Sequence, residues 1–241
     1  MAAPSTPLAR EWFAHPRHGP LPALLLVLTV ATGVVDAVSI LTLGRVFIAN
    51  MTGNVVFIGF ALAGAPGFSL AAALLALAGF LVGAGIGGPL VGRFRARRGR
   101  MLAVVTSSEL VLLAASLVVA LVSAEPFGAW PRDLIALLAA TALGMQNAAA
   151  RALAVPDLTT TVLTMTLTGI AADIRDRNGR VLARRLLAVA AMLVGGLVGA
   201  VLVLQVSAAM ALALTVAVVA VVCCAAWLVS RSPGAWQSPP A

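Results

Sequence analysis

The feature that most constrains the fold is a series of long apolar segments separated by short polar or arginine-rich stretches. Of the 241 residues, 61% are hydrophobic and only 10% are charged. Soluble domains have about 45–50% apolar and about 25% charged residues. Several segments approach the roughly 20 apolar residues that a helix needs to cross a bilayer. We therefore predict an all-α integral membrane protein.

The same pattern divides the chain into tails and two halves of a membrane domain. The tails are 1–20 and 231–241, and the halves are 21–131 and 132–230. The apolar segments are 21–43, 46–62, 69–91, 101–122, 133–150, 158–172, 186–204 and 208–229. No small-residue cleavage motif interrupts the first of them before Asp36, so we expect a retained first helix and not a signal peptide.

The distribution of arginine predicts how these segments cross. All sixteen basic residues are Arg and the formal net charge is +8. If all eight segments crossed, with the N-terminus inside, nine Arg would lie inside and seven outside, which shows no positive-inside bias. If 46–62 and 158–172 instead enter and leave on one side, six spans remain. Fourteen Arg then lie inside, and only Arg45 and Arg132 lie outside.

A rival topology has the N-terminus outside and only 46–62 of the two short segments crossing. In this topology thirteen Arg lie inside and three lie outside. We favour six spans because both halves are then treated alike. Segment 158–172 is also short for a span, at about 22 Å when helical, against a hydrocarbon core of about 30 Å. The prediction is therefore six transmembrane helices with two re-entrant or broken segments.

The two halves look duplicated at an offset of 111 positions. The matched pairs are Gly33 with Gly144, Asp36 with Asn147, Gly85 with Gly196, Gly88 with Gly199, and Asn50 with Thr161. Three spans in each half would make this an inverted repeat, an arrangement that is common in transporters. Separate small-xxx-small patterns at Gly79, Gly83 and Gly87, and at Gly195 and Gly199, are typical of helix packing faces.

Polar residues concentrate in the apolar stretch 33–59, and polar groups at membrane depth tend to mark function. Asp36 lies on a polar helical face, so we expect it to face the bundle or a cavity. An amide cluster near Gly53 is typical of a discontinuous helix that binds a polar solute. We predict a site for a small solute or ion with Asp36 as its titratable group. Its residues are Asp36, Ser39, Asn50, Thr52, Asn54, Asn147 and Thr161.

Each of these residues also has a structural explanation. Asp36 could be neutral and bonded to a neighbouring helix, or paired with Arg45 or Arg151. The amides and threonines could join helices or bond to their own helix. Glu109 could snorkel toward Arg100 or reach the interior, and we favour snorkelling.

Three functions follow from these alternatives. The preferred hypothesis is a small-solute transporter or channel. The second is a non-transporting membrane scaffold or lipid-associated protein, whose polar stripes would be mutually satisfied and dry. The third is an intramembrane enzyme using Asp36 or Glu109, which needs a second catalytic group. The chain contains no soluble-enzyme motif, so we do not expect an enzyme.

Cofactors and metals are not expected either. Cys223 and Cys224 are adjacent in an apolar run, and His15 and His18 lie in a proline-rich tail. The Arg residues flank apolar spans without an aromatic–basic module, so nucleic acid is not an expected partner. The expected partners are the lipid bilayer and a small polar solute or ion. The substrate, the coupling ion, the direction and the oligomeric state, a homo-oligomer included, are left open.

The stretch TGVVDAVSILTLGRVFIANMTGNVVFIGFALAG, residues 32–64, carries a resemblance to a known family. With VDA, LGRVF and ANMTGN in this order, it resembles the signature of the YoaK family of uncharacterised bacterial membrane proteins. The resemblance covers about residues 21–229. It implies a multi-helix protein of the bacterial inner membrane, and it brings neither a substrate nor a mechanism.

Overall fold

The computed structural model describes residues 15–156, 158, 160, 163–172 and 179–238. Within these residues the chain forms eight α-helices and one short 3-10 helix, Ala235–Gln237. The α-helices are α1 (Leu21–Thr42), α2 (Met51–Leu62), α3 (Leu70–Phe94), α4 (Arg98–Val122), α5 (Ala129–Leu153), α6 (Leu163–Ala172), α7 (Gly179–Gln205) and α8 (Ala208–Ser230).

Six of these helices are long and apolar enough to cross a membrane, namely α1, α3, α4, α5, α7 and α8. The shortest, α1, has 22 residues, which gives about 33 Å of helix against a hydrocarbon core of about 30 Å. Helices α2 and α6 have only 12 and 10 residues, so neither can span that core. The predicted all-α membrane fold, with six spans and two short segments, is confirmed.

The helices α1 to α4 of the first half correspond in order to α5 to α8 of the second. Each packed pair of helices has an equivalent pair made of the corresponding helices. Helix α1 packs on α7 as α5 packs on α3, and α1 packs on α8 as α5 packs on α4. The short α2 lies on α3 as α6 lies on α7, while α4 packs on its own counterpart α8. Two repeats related by a pseudo-two-fold axis produce this pattern.

Glycines let the helix backbones touch within the two central pairs. A Cβ atom added at Gly83 would overlap the carbonyl oxygen of Thr141 in α5. A Cβ atom added at Gly195 would likewise overlap the carbonyl oxygen of Val30 in α1. These are equivalent contacts in the two halves, and they account for the small-xxx-small patterns of α3 and α7.

These contacts correct the register of the repeat. Gly87 and Gly199 also make matching contacts, because Gly87 meets the backbone of Met145 and Gly199 meets that of Val34. Helices α1 and α5 therefore keep the predicted offset of 111, whereas α3 and α7 are offset by 112. The predicted pairings of Gly85 with Gly196 and of Gly88 with Gly199 are therefore each wrong by one residue. Between equivalent contact positions, the second half has one residue more from α5 to α7 than the first half has from α1 to α3.

The first residue of α4, Arg98, joins four parts of the chain at one end of the bundle. Its buried guanidinium donates to three backbone carbonyls and to an imidazole nitrogen. The acceptors are the carbonyl oxygens of Arg17 (3.0 Å), Trp236 (3.2 Å) and Leu153, and Nδ1 of His18 (3.0 Å). Nδ1 accepts this bond without carrying a proton. Burial, and then the charge of Arg98, lower the pKa of His18 to about 4.

These hydrogen bonds distinguish the three topologies. They place the residues before α1, the α3–α4 turn, the end of α5 and the segment after α8 on one side of the bundle. With eight spans, the α3–α4 turn would lie opposite the N-terminal residues. In the rival with the N-terminus outside, the N-terminal residues would lie opposite both the turn and the C-terminal segment. Of the three topologies, only the one with six spans places all the residues that contact Arg98 on the same side of the membrane.

The glycine contacts lead to a prediction about stability. We expect Gly83→Ala to lower the free energy of unfolding by about 1–3 kcal/mol, because the added methyl group forces α3 away from α5. A Cβ at Gly85, two residues further on, meets no atom within 4 Å. The control Gly85→Ala should therefore leave stability unchanged or raise it by up to about 1 kcal/mol. Thermal unfolding of the purified proteins in detergent measures both, and equal losses would contradict the close approach.

Candidate functional site

The first broken segment, residues 43–50, runs through the interior without regular secondary structure. Gly44 and Arg45 adopt positive φ angles of 85° and 57°, and these left-handed residues end α1 and redirect the chain. Val46 and Ile48 are then 0% exposed. Backbone groups buried in this way have no access to water, so other parts of the protein must supply their hydrogen bonds.

Asp36 in α1 supplies two of these hydrogen bonds. Its Oδ1 accepts from the backbone N–H of Ile48 over 3.0 Å and from that of Ala49 over 3.1 Å. Within the described part of the chain the carboxylate forms no ion pair, so the alternative of a partner in Arg45 or Arg151 is not realised. The charge of Asp36 therefore has no compensating cation among these residues.

Asn54 in α2 binds the broken segment from the other side. Its Oδ1 accepts from the backbone N–H of Phe47 over 2.8 Å, and its Nδ2 donates to the carbonyl of the same residue over 2.6 Å. The side chain is 0% exposed. The amide thus acts as a strand-like partner for one partly buried residue, and both of its polar atoms are engaged by the backbone.

A cavity of about 380 Å³ lies between α1 and α7 beside the broken segment. Its lining consists of Gly33, Asp36, Ala37, Ile40, Leu41, Phe47, Met192, Gly196 and Ala200. Asp36 is the one charged side chain of this lining. Oδ1 holds the broken segment, whereas Oδ2 has no hydrogen-bond partner among the described residues. One carboxylate therefore combines a structural contact with a polar group at an apolar cavity.

The remaining predicted residues of the first half lie outside this cavity. Ser39 is buried, and its Oγ donates to the carbonyl of Asp36 over 3.0 Å. Asn50 precedes α2 without a side-chain capping bond, and both it and Thr52 are exposed. Of the predicted residues in this half, the structure brings only Asp36 to the cavity.

The second half has a comparable broken segment after α5. Ala154 adopts a left-handed φ of 48°, and Val155 and Leu158 are 3% and 1% exposed. Asn147 lies partly buried on α5, at the position equivalent to Asp36. Thr161 lies outside the residues that the structure describes.

A second carboxyl, that of Glu109, is buried, which was the less favoured of its two predicted positions. The expectation that Glu109 snorkels toward Arg100 is wrong, because Glu109 is 1% exposed in the middle of α4. It faces Gln146 of α5, which is also 1% exposed. A carboxyl group in the middle of an apolar span was the available signal. Its partner is on another helix and has no signature in the local pattern.

The cluster around Glu109 can accommodate either protonation state. In one amide orientation Gln146 Nε2 donates to a Glu109 carboxylate oxygen over 2.6 Å, while its Oε1 accepts from the hydroxyls of Thr32 and Thr160 over 3.2 and 3.1 Å. In the other orientation Nε2 donates to Thr32 over 3.2 Å, and a protonated Glu109 can donate to the amide oxygen. Rotation of one amide would thus keep Glu109 paired when it gains or loses a proton.

These observations define a class, namely polytopic α-helical membrane proteins whose two halves make equivalent helix contacts and whose interior contains broken segments. The chain belongs to the family described as protein of unknown function (DUF1275), which matches residues 24–226. It is 33% identical over 155 residues to the UPF0700 transmembrane protein YoaK of Bacillus subtilis (strain 168), covering 64% of this chain and 67% of that relative. The resemblance to the YoaK family is confirmed. No solved structure matches this one.

The bonds of Asn54 lead to a second prediction. In Asn54→Ala the N–H and C=O of the partly buried Phe47 lose their partners, and each such loss in a buried setting costs about 1–3 kcal/mol of stability. Asn50→Ala is the matched control, because Asn50 is an exposed amide without a capping bond. Thermal unfolding in detergent should separate the two variants clearly. Similar unfolding temperatures would show that the amide of Asn54 does not support the broken segment.

Proposed function

We propose that the protein transports a small polar or cationic solute across the membrane, and that Asp36 is the titratable group of its site. The observation that carries the proposal is that Asp36 lines the cavity between α1 and α7 while its Oδ2 atom has no hydrogen-bond partner among the described residues. Carboxyl groups at membrane depth are costly, and they usually serve an ion or substrate pathway. Discontinuous segments commonly form such sites in transporters.

The surroundings of Asp36 favour a cation or a proton as its ligand. No described Arg compensates the carboxylate, and the other lining residues of the cavity are apolar. A positively charged or protonating ligand would therefore gain an electrostatic interaction in poorly solvated surroundings. The Glu109 cluster supplies a second buried carboxyl group that can hold a proton, and we include it in the proposal.

The setting of this activity is also part of the proposal. We place the protein in the bacterial inner membrane, with both termini on the cytoplasmic side. This orientation satisfies the positive-inside rule, because fourteen of the sixteen Arg then lie inside. We propose a role without bond-making chemistry, because no second catalytic group accompanies Asp36 in the lining of the cavity.

A specific observation favours the second candidate, a membrane scaffold that transports nothing. Asn54 and Ser39 direct their polar atoms to backbone groups and are both 0% exposed. A stripe of polar residues that is satisfied internally is what a dry packing role requires. The two candidates differ in whether water reaches Asp36.

Water access to the cavity is therefore the first test. In a Cys223→Ser/Cys224→Ser background, Ala200→Cys places a thiol in the cavity lining. Leu197→Cys is the control, because Leu197 lies one turn earlier on α7 and is 62% exposed on the apolar surface. In membrane vesicles we expect a membrane-impermeant thiol reagent to modify Ala200→Cys and spare Leu197→Cys. Protection of both thiols in folded protein would favour the dry scaffold.

The charge of Asp36 is tested by Asp36→Asn. The amide keeps an oxygen that can accept from Ile48 and Ala49, so the fold should persist while the titratable group is lost. In proteoliposomes screened with small cations and neutral polar solutes, we expect uptake to lose its pH dependence. Its rate should fall about tenfold or more, as expected when an interaction of about 1.5–3 kcal/mol with a charged group is lost. Unchanged uptake at every pH would refute the role of Asp36.

A further inference from the structure

A second cavity, of about 360 Å³, lies at the arginine-rich end of the bundle between the start of α4 and the end of α8. It is lined by Arg97, Arg100, Trp227, Ser230 and Arg231. We propose that this cavity binds a phosphate group, carried by an anionic phospholipid or free in solution. The proposal is independent of the transport function, because the cavity is formed by different helices from that of Asp36.

The three arginines of this cavity have no acidic partner in the described part of the chain. The salt bridge among the described residues joins Arg132 to Asp133, at the opposite end of the bundle from this cavity. None of the three guanidinium groups donates a hydrogen bond to another described residue. Three like charges around one cavity repel one another, and a bound anion would relieve that repulsion. Guanidinium groups present paired N–H donors that match phosphate oxygens.

The wall of the cavity that Trp227 forms is held in place by a hydrogen bond between α8 and α4. Trp227 Nε1 donates to Ser107 Oγ over 3.0 Å, and Ser230 Oγ donates to the carbonyl of Trp227 over 2.8 Å. Arg100 also lies 5.8 Å from the ring of Phe94. The indole is therefore a fixed apolar wall beside the cationic side chains. Tryptophan and arginine at a helix end are typical of the headgroup region of a membrane.

The outer face of α8 connects this cavity with the lipid-exposed surface. Val221 and Leu228 are 68% and 67% exposed, and Cys224 between them is exposed as well. These residues share one face of the helix, at spacings of three and four. A phospholipid could place its phosphate between the arginines and its acyl chains along this face. A free phosphate would use the same guanidinium groups without the apolar face.

The test uses the full-length protein in detergent and measures its unfolding temperature during titration. The probes are dioleoyl phosphatidylglycerol, dioleoyl phosphatidylcholine, and inorganic phosphate against chloride at equal ionic strength. The cavity variant is Arg97→Gln/Arg100→Gln/Arg231→Gln. The control variant Arg93→Gln/Arg95→Gln/Arg151→Gln removes three exposed arginines that do not line the cavity. Unfolding without ligand verifies that both variants fold.

We expect phosphatidylglycerol to raise the unfolding temperature of the wild type and the control. In the cavity variant the half-saturating concentration should rise at least about tenfold, because hydrogen bonds to charged groups are lost. If inorganic phosphate gives the same selective response, the site takes phosphate without needing a lipid. Equal weakening in both variants would reduce the effect to general surface charge and overturn the proposal. If neither phosphatidylglycerol nor inorganic phosphate raised the unfolding temperature of the wild type, the proposal would be overturned as well.

Discussion

Non-helical backbone inside an apolar bundle must find its hydrogen bonds within the protein, and the structure around the first broken segment depends on this constraint. Each buried N–H or C=O group without a partner costs about 1–3 kcal/mol. Asp36 and Asn54 meet this requirement from opposite sides of the segment, through Ile48, Ala49 and Phe47. The helix start at Met51, later than the apolar pattern suggests, is a consequence of this arrangement.

The large features of the fold could be predicted from sequence because few solutions exist for a chain in lipid. Backbone hydrogen bonding favours a helix in each apolar segment, so hydropathy located the eight apolar segments. Arginine counting then selected the topology that the contacts of Arg98 support. Helical periodicity placed Asp36 toward the interior, where it is 8% exposed. Each of these inferences needs only local sequence and a general rule about membranes.

The details of the site depend on contacts that local sequence does not record. The apolar pattern of 46–50 fits a buried extended segment as well as a helix, so the start of α2 was placed too early. An amide such as Asn54 can bind a solute or the backbone, and only the position of Phe47 decides between them. Glu109 and Gln146 lie on different helices, so their pairing follows from the packing of α4 on α5. Alanine-rich sequence likewise concealed the one-residue shift between α3 and α7.

The difference between the two halves bears most directly on function. Helices α1 and α5 keep the offset of 111, which makes Asn147 the equivalent of Asp36. The second half therefore accommodates an amide at this position within the same helical framework. If Asp36 only accepted backbone hydrogen bonds, an asparagine oxygen could do the same at lower desolvation cost. What the carboxyl adds is a charge that a proton or cation can neutralise, which is consistent with the proposed role of Asp36 as the titratable group at the cavity.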